Sequence, residues 1–170
     1  MKRVFLALLI IILGMQLFRP EMNISQGEQP SAIARRFPVS EELSAVLGQS
    51  CNDCHSNNTN YPWYSNIQPV GWWLADHIAE GKSHFNLDEF LNYPLPRQYH
   101  VFEEVREMIE RDEMPLPSYT FLHRDAILSE EASFMILSWS DAMRDSMGRG
   151  TRPTVLSGRD VRPFSDGRFA

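Results

Sequence analysis

Residues 51–64 read CNDCHSNNTNYPWY, from Cys51 to Tyr64, and hold both cysteines of the 170-residue chain. Two thiols three residues apart and followed directly by His55 suit three chemistries: a redox disulfide, a zinc site, or covalent attachment of haem. The surroundings decide among them. A thioredoxin-like pair needs a thiolate at a helix start beside a βαβ sheet, whereas this pair comes at or after the end of a helix in a chain patterned for helices alone. Structural zinc needs four ligands, commonly as two close pairs, and His77, His84, His100 and His123 form no second pair at the usual spacing. Covalent haem needs only what the stretch supplies. One turn carries both thiols to the same side, where each can form a thioether with a haem vinyl group, and His55 follows with its imidazole aimed at the iron. The motif therefore points to one covalent haem c, attached through Cys51 and Cys54, with His55 as proximal ligand.

Upstream, Ser40 offers a helix N-cap, with Glu41 and Glu42 in the first turn where the helix dipole favours them. Leu43, Val46 and Leu47 follow at helical spacing, so a helix runs to about Gly48 or into the cysteine motif. Downstream, PVGWWLADHIAEG gives a second helix with Val70, Leu74 and Ile78 on one stripe and Trp73 and His77 on another, ending near Gly81. A third helix over roughly 97–112 turns Phe102, Val105 and Ile109 to the core, and Pro115 and Pro117 end it. A fourth starts at Ser129, with Ala132, Ile136, Trp139 and Met143 on its apolar face. No strand alternation or internal repeat is visible. The expected class is all-α.

The ends of the chain have a different composition. Residues 1–20 begin with Lys2 and Arg3 and continue as an apolar run from Val4 to Phe18, an export signal rather than a core element. No small-residue cleavage site follows, and the run would span roughly 22 Å against a hydrocarbon core of about 30 Å. Flanking Lys2, Arg3 and Arg19 favour a signal anchor over a cleaved signal peptide. Either way the domain is expected on the periplasmic side of the bacterial inner membrane, anchored or secreted. Residues 21–38 read as a linker, 39–147 as the haem-binding domain and 148–170 as a disordered tail rich in Gly, Pro, Ser and Arg. Between Pro20 and Met147 lie 20 acidic and 8 basic residues, a net charge of −12. Such a surface excludes nucleic acid as a partner and suits a basic redox partner.

The blocks CNDCHSNNTNYPWYSNIQPVGWWLADHIAEGK (51–82), EMPLPSYTFLH (113–123) and LSEEASFMILSW (128–139), with RPEMN (19–23) after the apolar run, resemble the small c-type haem-binding domain family of bacterial envelope proteins. The resemblance covers residues 1–145. It implies a cytochrome c-like helical fold around covalent haem, and no particular reaction.

Cytochrome c iron is commonly held by His on one face and Met on the other. Met114 is the distal candidate. It follows an amphipathic helix, sits in EMPLP, whose prolines would stiffen the loop, and lies 59 residues beyond His55. His77 is the rival, while Met108, His84, His100 and His123 read as packing or solvent residues. Tyr61, Trp63, Tyr64, Trp72 and Trp73 are the expected walls of the porphyrin pocket. Either Pro62 or Pro69 offers a carbonyl to Nδ1 of His55. The expected function is one-electron transfer by a six-coordinate iron, an electron carrier rather than a catalyst. The alternatives are a haem sensor or peroxidase-like protein with an open iron position, and a haem-bearing accessory subunit of a larger oxidoreductase.

Overall fold

A computed structural model describes residues 1–150, so most of the expected tail, from Thr151 onward, lies outside the described residues. The described residues contain seven α-helices and no strand, and one isolated β-bridge joins Ile24 to Asn58. The helices are α1 (Lys2–Met15), α2 (Glu41–Ser50), α3 (Asn52–His55), α4 (Val70–His84), α5 (Leu95–Glu110), α6 (Pro117–Thr120) and α7 (Glu130–Gly150).

Helix α2 begins where its residues dictate. The Ser40 hydroxyl accepts a hydrogen bond from the Leu43 amide at 3.2 Å, and Glu41 and Glu42 occupy the first turn. Ser40→Ala should cost about 1 kcal/mol of stability, read as a lower urea midpoint with haem content unchanged. Ser129 caps α7 in the same way through the Ala132 amide. Helix α5 starts two residues earlier than its periodicity suggested, because Pro96 is tolerated in a first turn. It ends at Glu110, and Asp112 then adopts a left-handed backbone (φ 54°) that turns the chain.

Helices α5 and α7 pack together, and α2 leans on α7. Two apolar clusters result. One gathers Ile33, Phe37, Leu87, Phe90, Val101, Phe102 and Met143, and the other gathers Leu43, Leu47, Ile109 and Ile136. Val105 and Trp139 touch both and fuse them into one core. The first cluster is aromatic at its centre: Phe102 meets Phe37 edge-on at 5.6 Å and Trp139 at 5.2 Å.

Residues 21–38, read from composition as a linker, are instead part of the folded domain. Ile33 and Phe37 are each only 5% exposed. Asn23 donates its side-chain amide to the Ser56 carbonyl and the Thr59 hydroxyl, both at 2.9 Å. The segment shows no periodicity because it is an extended strap whose polar side chains bond to the loop after the cysteine motif.

The strap continues back to α1. The Gln16 side chain donates to the Gln68 carbonyl at 3.2 Å and accepts from the Gln68 amide at 2.9 Å. Trp72 donates its indole N–H to the Phe18 carbonyl at 2.6 Å. Helix α1 itself exposes its apolar side chains from Val4 to Leu13. Its 14 residues span roughly 21 Å, and no helix among the described residues is long and apolar enough to cross a membrane. The fold thus gives no support to a membrane-spanning anchor at residues 1–20.

Candidate haem-binding site

The C-x-x-C-H turn is α3, a single turn that follows α2 with Cys51 between them. The Cys51 carbonyl accepts from the Cys54 amide at 3.2 Å and from the His55 amide at 3.0 Å, which closes the turn. Helix α4 packs directly against it. At Gly81 an added Cβ would lie 2.8 Å from the Cys54 carbonyl oxygen and 3.0 Å from the Cys54 Cβ. Gly81, expected to terminate its helix, is therefore a buried contact inside a helix that continues to His84. Glycine stands there because two backbones touch.

His55 is 8% exposed and its ring stacks on Phe85, with centroids 4.0 Å apart and planes 9° from parallel. Its Nδ1 lies 3.2 Å from the Phe85 carbonyl oxygen. Neither Pro62 nor Pro69 plays this part. Phe85 follows the last residue of α4, and the Leu87 amide donates to the His55 carbonyl at 2.7 Å, which binds this corner to the turn. With Nδ1–H donating to Phe85, Nε2 keeps its lone pair as a ligand requires. Burial lowers the pKa of the imidazole, against the opposing pull of the Phe85 and Gly81 carbonyls, so the ring is neutral at pH 7.

Both cysteines are unpaired. Burial pushes the Cys51 thiol up to about 12, and burial with the Asp53 carboxylate pushes Cys54 up to about 11. They are neutral S–H groups at pH 7, unlike the depressed thiols of redox pairs. Among the described residues no group of three or more His, Cys, Asp or Glu side chains is placed to hold a metal ion. A zinc site is short of ligands.

Two clefts open at this turn. Both are lined by Ser50, Cys51, His55, His84, Met114 and Pro115, so they form one continuous site. Cys54, His77, Gly81, Leu116 and Tyr119 belong to the first, and Phe85, Val105, Met108 and Ile109 to the second. Cys51, Cys54, His55 and Met114 thus meet at one cleft, and Met114 borders both parts of it. His77 borders only the first, with its Nδ1 3.0 Å from the Trp73 carbonyl. The site can take a flat, largely apolar group through two neutral thiols, one neutral imidazole and one thioether, and haem fits that donor set.

The five aromatic residues expected to wall the pocket do not line either cleft. Trp63 is 77% exposed. Tyr61 accepts the Asn23 amide at 2.7 Å, Tyr64 meets Nε2 of His123, Trp72 is bonded to Phe18, and Trp73 packs on His77 at 4.3 Å. Tyr61 and Trp72 thus hold the N-terminal segment. The walls come from α4, α5 and the segment after α5, and include Met108 and His84, which the sequence had placed in packing or solvent. Nothing local marks those two residues. Their place depends on the α4 and α5 ends converging on the turn.

A helical domain with a thiol–thiol–imidazole turn facing a methionine defines a haem-binding protein. The chain matches the haem-binding domain family over residues 10–142 and belongs to it. Comparison with characterised proteins and with solved structures gave no match.

Proposed function

We propose that this protein is an exported mono-haem c-type cytochrome domain that transfers single electrons. Cys51 and Cys54 hold the haem covalently, His55 is the proximal ligand and Met114 the distal one. The observation that carries this reading is the convergence of both neutral thiols, His55 and Met114 on one cleft. Haem supplies a one-electron iron couple when bound. The residues of the chain do the rest. The Phe85 carbonyl fixes the His55 tautomer, and Val105, Ile109 and Pro115 give the cleft apolar walls. Met114 and His55 would offer bound iron a soft thioether and a neutral imidazole, a pair that would favour the reduced form and so raise the potential.

Residues 1–20 are read as the export signal, with the apolar surface of α1 associating with the membrane on the periplasmic side. The hydrogen bonds that join Gln16 to Gln68 and the Phe18 carbonyl to the Trp72 indole support retention of this segment in the mature protein. The acidic surface suits a basic redox partner, and a reduction rate that falls steeply with salt is its signature.

Met114→Ala tests the ligand set. The oxidised parent should show a far-red methionine–iron band, and the reduced parent should show no spectral change under carbon monoxide. The variant should lose the band and bind carbon monoxide. A carbon monoxide shift in the parent would instead mean an open iron position, and sensing or peroxidase-like chemistry.

A further inference from the structure

We propose that Tyr119 is a positioning residue whose hydrogen bond to Asp53 latches the Met114 loop to the C-x-x-C-H turn and sets the width of the haem cleft. This rests on the reading of Met114 as a ligand.

The loop that carries Met114 is held on two sides. On its N-terminal side the Glu113 amide donates to the Met108 carbonyl at 2.9 Å, which ties it to α5. On its C-terminal side it enters α6, where the Tyr119 hydroxyl donates to Oδ2 of Asp53 at 2.7 Å. Asp53 lies between the two cysteines in sequence, and its other oxygen accepts the Asn60 amide at 2.9 Å. The carboxylate is therefore fixed from two directions, and its own position is tied to the thiols. Tyr119 lines the cleft beside Cys54 and Met114. Its ring stacks on His123 at 4.3 Å, 10° from parallel, so the phenol reaches Asp53 from a braced position. Burial and then the Asp53 hydrogen bond raise the phenol's pKa and keep it a donor. A hydrogen bond to a carboxylate is among the stronger neutral-to-charged contacts. Among the described residues no other side-chain hydrogen bond joins the 112–122 segment to the turn.

The test compares the full haem-loaded chain with Tyr119→Phe, which keeps the stacked ring and removes only the hydroxyl. Thr120→Ala is the control, because Thr120 sits on the same short helix but bonds only to the Leu116 and Pro117 carbonyls. The readouts are the far-red band of the oxidised protein and carbon monoxide uptake by the reduced one. Tyr119→Phe should weaken the band and raise the fraction of iron that takes up carbon monoxide by roughly tenfold or more, with Thr120→Ala unchanged. A parent with the band, and a Tyr119→Phe variant indistinguishable from it, would overturn the latch alone. A parent that lacks the band and binds carbon monoxide would overturn Met114 ligation and the latch together.

Discussion

Replacing both Cys51 and Cys54 with alanine should abolish covalent attachment, so that all haem recovered with the variant passes into acidified organic solvent. In the parent the haem should stay with the polypeptide. The effect is all-or-none because the chain has no other cysteine to form a thioether. Each single substitution should leave one link and therefore haem that still resists extraction. Both thiols are held neutral, at about 12 and about 11, so little thiolate is present at pH 7 to attack a disulfide. His55 and Met114 remain in the double variant, and weak, extractable haem binding is the expected residue of function. Haem that resists extraction from the double variant would place the attachment elsewhere.

The second large effect concerns Gly81. Gly81→Val introduces a branched side chain where even a Cβ lies 2.8 Å from the Cys54 carbonyl. That carbonyl belongs to a closed turn and cannot retreat as a flexible side chain would. Overpacking of this kind costs typically about 1–3 kcal/mol, and the upper end is expected because the clash is with backbone. The displaced turn carries Cys54 and the neighbouring His55, so haem attachment should fall along with the urea midpoint. Gly48→Ala serves as the control. Gly48 lies in α2 with nothing within 4 Å of an added Cβ, and alanine there should be neutral or stabilising by up to about 1 kcal/mol. Equal loss in both variants would mean that the contact between α4 and the turn does not govern the site.

What could be read from the sequence was mostly what is local. The Ser40 and Ser129 caps, the apolar stripes of α2 and α5, and the C-x-x-C-H turn each depend on residues within a few positions of one another. Met114 was legible because its prolines announce a stiff loop after a helix, although its place at the cleft depends on the whole fold. The partner of His55 Nδ1 was not legible. Phe85 lies 30 residues away and contributes a backbone carbonyl, a group every residue possesses. Gly81 was misread as a helix end for a related reason, since close approach of two backbones leaves no mark in periodicity. The aromatic residues after the motif were misplaced because aromatic content was taken as porphyrin wall. Tyr61 and Trp72 instead use their polar edges to hold Asn23 and Phe18, which helps tie down the segment that composition had presented as a linker.

Intact mass under denaturing conditions tests the covalent single-haem site most directly. The full chain made with c-type haem maturation should exceed the same chain made without it by the mass of one haem. Equal masses, with haem released on denaturation, would contradict thioether attachment through Cys51 and Cys54.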